Sequence, residues 1–468
     1  MIAAAESASD YYRDPHVRAR LLEYCGSEAD HGPTAVYAAG LDPSGQRQPT
    51  WAEAIRVPTD EFFSLCDRGF DVSRSLWDTR ALIFVIDLDY QNLDYPSEPF
   101  THASDVFFKL EPAYEGVRAV LRHFGISTLT LATGRGYHFV GQIPLDAPVT
   151  GALAELAAVP TWLDGLERRS ARRFAVSLGA QHARAATGLT LVLEYIAHAI
   201  LRETTGRTLI PVVLNGTTVG SGLAGRECIS IDFSHGGDPL DERVIRMAFS
   251  TYQWHRARPD IFGAEAAARP PLATVPREDV PLTTFLLAGR DLRAAPAAAA
   301  VCQTTMPTVS RGIEHALADY RGSLLACFHR EFIDECRARE DPPPVPTALA
   351  PCLVRPLRQP NDLLLKPEYL QNLVRGLLAH GWRASQIAEL VHREYTRDHQ
   401  WGDRWTRLDA RTRAEFDVRV FAGLVITGGD ELVDFNCTSA QEKSVCPFVG
   451  CHHDLREDRE RLRLRYPQ

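Results

Sequence analysis

Two aspartates one residue apart, Asp87 and Asp89, close the apolar run Ala81-Leu-Ile-Phe-Val-Ile. On an extended strand, side chains alternate between faces, so both carboxylates project the same way. Like charges on one face repel unless a cation lies between them. An all-oxygen environment of that kind suits hard divalent ions, Mg²⁺ or Mn²⁺. A third carboxylate, Asp232, ends Cys228-Ile-Ser-Ile, where alternation puts Ile229 and Ile231 on one face and Ser230 and Asp232 on the other. Between these segments, Ser127–Ala132, Thr133-Gly134-Arg135-Gly136 and Tyr137–Val140 read as strand, tight turn and strand. The two glycines can take positive φ and let backbone N–H groups approach a phosphate. Arg135 and His138 add charge or hydrogen bonds beside it. Taken singly, each segment also reads as ordinary structure: solvated or turn-capping acids and a strand histidine.

In order and spacing, over about 150 residues, the three segments resemble the motifs of the archaeo-eukaryotic primase (primase-polymerase) superfamily. Its first motif has two acids separated by one residue, its second reads small-Gly-x-Gly-x-His, and its third ends apolar-Asp. Here these are Val85-Ile86-Asp87-Leu88-Asp89-Tyr90, Thr133-Gly134-Arg135-Gly136-Tyr137-His138 and Ile231-Asp232. Leu93-Asp94-Tyr95 is similar to the acidic extension of the first motif in primase small subunits. The resemblance implies nucleotidyl transfer, with Asp87, Asp89 and Asp232 holding two divalent ions roughly 3.5–4 Å apart. Gly134, Arg135, Gly136 and His138 would then hold the incoming triphosphate. Arg246, in Val244-Ile-Arg-Met, looks like a further triphosphate ligand, and equally like an exposed helix arginine. The fold implied is α+β: a primase-type catalytic domain with mixed or antiparallel, RRM-like sheets, then a linker and a mostly helical cysteine domain.

The last four of ten cysteines, Cys352, Cys437, Cys446 and Cys451, stand apart from the rest. The opening Met1-Ile-Ala-Ala-Ala meets Glu6 at once and does not read as a secretory signal. Cytoplasmic, metal-bound thiolates are therefore expected rather than disulfides. Four thiolates suit tetrahedral zinc or an iron–sulfur cluster, and the lack of a C-x₂-C pair lowers the case for a zinc ribbon. Pro351-Cys352-Leu353, the helices after it and the terminal trio resemble the C-terminal domain of the primase large subunit, which implies a [4Fe–4S] cluster. The gap from Cys446 to Cys451 is shorter than that family's, so His452 or His453 are alternative fourth ligands. Leu370, Leu373, Val374, Leu377 and Leu378 form a helical stripe ending near Gly381, and Ser385 is placed to cap the next helix.

A chain of 468 residues accommodates two or three domains. Residues 1–80 carry no assigned chemistry and read as the N-terminal part of the catalytic domain. Residues 81–263 hold the motifs, including a helix over Tyr114–Phe124. The Ala/Pro-rich stretch 264–310 reads as a linker, 311–344 as a single connecting helix, and 345–468 as the cysteine domain with a frayed helical tail. No run of 18 apolar residues spans a membrane. A formal charge of −9 excludes a surface uniformly suited to coating DNA, so any nucleic-acid contact is a local groove. The densest basic cluster, Arg168-Arg169 with Arg172-Arg173, reads as a solvated helix face. The resemblance implies a primase making primers from nucleoside triphosphates on single-stranded DNA, with a helicase or other replication proteins as candidate partners. A repair- or defence-associated polymerase extending ends, or a non-catalytic nucleic-acid-binding protein, are the alternatives.

Overall fold

The computed structural model describes residues 7–27, 31–43, 54–165, 178–216, 227–237, 244–277, 281–288, 291–358, 366–397, 409–446 and 450–467. The arginine cluster at 168–173 lies outside them. The structure is α+β, with mixed and antiparallel sheets and many helices. Its strands are β1 (Ala38–Leu41), β2 (Ile55–Val57), β3 (Asp71–Ser75), β4 (Ala81–Asn92), β5 (Leu129–Ala132), β6 (Gly136–Pro144), β7 (Val212–Leu214), β8 (Glu227–Asp232), β9 (Val244–Arg246), β10 (Thr251–Tyr252), β11 (Leu272–Ala273) and β12 (Val275–Pro276). No helix among the described residues is long and apolar enough to cross a membrane. The chain divides into two compact units.

The first unit comprises residues 1–90, 95–188 and 241–314. One antiparallel sheet runs β2-β1-β3-β9; in a second, β12, β5, β6 and β4 hydrogen-bond in that order. The helix Ala103–Phe124 ends at Gly125, which takes φ +73° as sequence punctuation predicts, but it begins eleven residues before Tyr114. Its buried stripe includes Val106, Phe107, Leu110, Tyr114, Val117 and Leu121. Phe107 and Tyr114 pack on Tyr137 at 5.4 and 4.7 Å between ring centroids, and Tyr114 on Phe139 at 5.8 Å. Burying each such side chain stabilises the unit by about 1.5–3 kcal/mol. Because Tyr137 and Phe139 face the helix, His138 between them faces the opposite side of the sheet.

The stretch 264–310 is folded, not a bare linker. β12 pairs with Leu131–Ala132 of β5, and the helix Ala295–Val301 buries Ala295 and Ala299. Beyond that helix, the Cys302 carbonyl accepts from Arg20 at 2.7 Å and Thr304 Oγ1 donates to the Arg20 carbonyl at 2.6 Å. Alanine runs look featureless in composition yet have the highest helix propensity and permit close packing.

The second unit comprises 91–94, 189–240 and 315–468. β7 and β8 pair in parallel. The expected long connecting helix is two, Ser310–Arg321 and Leu324–Ala338, with Ser323 capping the second by accepting from Ala326 N at 3.1 Å. The predicted leucine stripe lies on Pro367–Ala379 and is wholly buried. The following helix, Ala384–Tyr395, is capped by Arg383. Ser385 falls inside it and donates to Glu335 at 2.5 Å. The C-terminal helix Leu455–Arg465 is docked, not frayed: Leu455 and Leu462 enter the core and Asp458 meets His380 at 3.1 Å. Two buried ionic knots brace this unit. Arg375 donates to both oxygens of Asp430 at 2.7 Å, and Glu194 joins His329 at 3.1 Å and Arg419 at 2.9 Å.

Candidate active site and thiol cluster

Register builds the first site. β4 and β6 run antiparallel with Asp87 opposite His138 and Asp89 opposite Gly136. Leu88, opposite Tyr137, is fully buried on the helix side, so both aspartates face away from it with His138. Asp87 Oδ1 lies 3.5 Å from His138 Nε2, and Arg135 Nη2 donates to Asp89 Oδ2 at 2.6 Å. The side chains remain partly open, Arg135 most of all at 33 %. Two carboxylates, an imidazole and a guanidinium therefore share one solvent-reachable face.

The turn is anchored through its backbone. Tyr90 N donates to the Arg135 carbonyl at 3.0 Å and Thr133 N to the Gly136 carbonyl at 2.9 Å. Neither glycine takes the positive φ expected from sequence. Their role is close approach. A Cβ on Gly136 would fall 1.9 Å from the Leu88 carbonyl oxygen, and one on Gly134 would fall 2.5 Å from the Tyr252 ring.

Asp232 ends β8 in the second unit, partly buried, with Oδ1 accepting from Ser234 N at 2.7 Å at the start of a 3₁₀ turn. Asp94 is exposed. Arg246 is not the exposed helix arginine of one sequence reading. It closes strand β9, not a helix, and it is buried against Asp71 at 3.1 Å while donating to the Thr251 carbonyl at 2.6 Å. Its guanidinium lies over Tyr252, 4.5 Å from the ring centroid. Sequence reasoning missed Tyr252 and Asp71, and only the aromatic following β-branched Thr251 hinted at an element there.

The four cysteines singled out by sequence converge in the second unit. Cys352 is buried on the helix Pro351–Arg358; Cys437 opens the helix Cys437–Glu442; Cys446 and Cys451 sit in the loops beyond, all three half-buried. Burial pushes the Cys352 thiol up to about 12, and negative charge on Cys446, Cys437 and Cys451 pushes the same way. Cys437 Sγ lies 3.8 Å and Cys451 Sγ 4.0 Å from the His453 carbonyl oxygen. Leu455 N donates to Cys437 Sγ at 3.5 Å, the kind of contact that stabilises a ligating thiolate. Ser444, Gly450 and His452 take positive φ, so the chain turns sharply around Cys446 and Cys451. His452 and His453 are exposed.

Among the described residues, no three His, Cys, Asp or Glu side chains close around a point tightly enough for a single metal ion. Four thiolates are a donor set that suits either tetrahedral zinc or an iron–sulfur cluster.

No protein-family model matches the chain, and neither the curated proteins nor the solved structures contain a significant match.

Proposed function

We propose that the chain is a primase or primase-polymerase, joining nucleoside triphosphates on a single-stranded DNA template. The observation that carries this is the β4–β6 register, which sets Asp87 and Asp89 on the same face as His138, with Arg135 of the adjoining turn paired to Asp89. Asp87 and Asp89, with Asp232 as the third carboxylate assigned by resemblance, would hold divalent ions that activate a 3′-hydroxyl and neutralise charge on the triphosphate. Arg135 presents a planar fork of donors suited to phosphate oxygens. His138, whose Nε2 lies 3.5 Å from Asp87 Oδ1, would donate to the same group. The backbone of the Gly134–Gly136 turn, which packs directly on Leu88 and Tyr252, would offer N–H groups to the phosphates. The four thiols would carry a [4Fe–4S] cluster, and resemblance gives that domain a part in starting primers.

The test is primer synthesis on unprimed single-stranded DNA, with ribonucleotides or deoxyribonucleotides and with Mg²⁺ or Mn²⁺. Short labelled products with at least one nucleotide set are expected. Extension of a supplied primer without synthesis on bare template would make the chain an end-extending polymerase. Incorporation in neither assay overturns the proposal.

A further inference from the structure

Tyr252 belongs to no motif, yet it touches the one the proposed function depends on. Its ring fills the space a side chain at position 134 would need: a Cβ there would come within 2.5 Å of two ring carbons and 2.7 Å of a third. The ring is fixed from behind. Phe100 lies 5.9 Å away, His255 stacks at 6.4 Å with planes 16° apart, and Arg246 covers it at 4.5 Å. Arg246 is fixed in turn by Asp71, which is 1 % exposed. Asp71 also accepts from Thr251 Oγ1 at 2.7 Å and Gln253 N at 2.8 Å, clamping both residues beside Tyr252. No side-chain hydrogen bond of the Tyr252 hydroxyl is seen among the described residues, and the contacts that hold the ring are those to Phe100, His255 and Arg246.

We infer that Tyr252 is a positioning residue: an aromatic backstop, held by the Asp71–Arg246 pair, that sets the Gly134–Gly136 turn and Arg135 at the height where they meet a triphosphate. This rests on the reading of that turn as the triphosphate site. Arg246 thus acts through the Tyr252 ring and not by reaching the phosphates itself. The ring does the work, because Gly134 has no side chain to fill the space and the backbone rests against it directly.

Binding of inorganic tripolyphosphate to the full-length protein in Ca²⁺, measured by calorimetry, tests this without turnover or any choice of base and sugar. Tyr252→Leu should weaken binding about tenfold, since small displacements of a positioned group carry large penalties. Tyr252→Phe, which keeps the ring, should recover affinity to within about twofold of the parent. Gly134→Ala should weaken binding like Tyr252→Leu, and the double variant should be no worse than either alone, because both break one contact. In turnover, the loss should fall on nucleotide KM more than on kcat, with single-stranded DNA affinity unchanged. Parental affinity in Tyr252→Leu, confirmed folded by circular dichroism, overturns the inference. So does a loss in Tyr252→Phe as large as in Tyr252→Leu, which would make the hydroxyl a direct ligand. Parent protein that binds no tripolyphosphate overturns instead the assignment of the turn.

Discussion

The acid face and the thiol cluster are assembled in opposite ways. Asp87, Asp89 and His138 sit on adjacent antiparallel strands joined through one chain excursion, and their geometry follows from the hydrogen-bond register. Once β4 and β6 pair, alternation leaves those side chains only one face, and Arg135, in the turn before β6, joins them through its ion pair with Asp89. Cys352 and Cys437 are separated by helices that pack around a shared apolar core, and the thiols meet where that core reaches the surface. Nothing local dictates their meeting. A site built by register persists when a ligand is removed, whereas a site built by convergence of loops depends on whatever bridges them.

The largest expected effect is on the register-built site. On the proposed reading, Asp89→Ala should remove a carboxylate that would hold metal, and it leaves Arg135 without its ion-pair partner. Transition-state charge stabilisation of several kcal/mol is then lost, or about 10³-fold or more in nucleotide incorporation. The thermal midpoint should shift little, since the pair is partly exposed and such pairs contribute under about 1 kcal/mol. Primer extension near the parental rate would remove Asp89 from the metal site. Cys437→Ser probes the other side of the comparison. Anaerobically purified parent should be brown and contain iron and acid-labile sulfide. The variant should lose that colour and destabilise the second unit, because metal binding is coupled to folding. Incorporation on a supplied primer should survive better than initiation. Colourless parent with one zinc per chain would exclude the cluster, and unchanged initiation by Cys437→Ser would remove its role.

The same contrast explains what could be read from the sequence. Period-two alternation placed Asp87, Asp89 and His138 on strands because β-sheets have a local rule. It could not show which strands are neighbours, so the Arg135–Asp89 pair was not foreseeable. The glycines of the turn were expected for their conformational freedom. The physical reason they are needed is the Leu88 carbonyl on one side and the Tyr252 ring on the other, both contributed by distant segments. The strand and the burial of Arg246 are not legible in the sequence, because a short edge strand of three residues carries no periodicity and its burial depends on Asp71, far away in sequence. The linker reading failed for a similar reason: β12 exists only because Leu131–Ala132 offers an open edge. In the cysteine region, the stripe on Pro367–Ala379 was legible from its 3.6-residue repeat. The break at Ser323 was not, because it is set by one cap within an otherwise continuous helical pattern.

Acid should treat the two units alike, whereas Cys437→Ser should injure only one. His182 and His255 in the first unit and His198 in the second are all buried, and each is held down to about 4. Burial is the main cause in every case. It is opposed by Asp78 near His182, by the Arg269 carbonyl bonded to His255, and by Glu194 near His198. The folded protein keeps these imidazoles neutral, while the unfolded chain takes up protons as pH falls below about 6.5. Between about pH 6.5 and 4 the unfolded state therefore binds more protons, and stability falls as pH falls. Each histidine withdraws on the order of a few kcal/mol across that window. Glu194, held down to about 2 in spite of burial by His329 and Arg419, adds its own loss below about pH 4.5. Urea unfolding of the full-length protein, followed by circular dichroism, should show a midpoint that drops steadily from pH 7 to pH 5. His255→Gln and His198→Gln should each flatten that dependence, even though either change lowers stability at pH 7. A midpoint independent of pH over this range would mean that the buried histidines are not the acid-sensitive element. A decline seen only in protein that carries its cluster would place the sensitivity at the thiols.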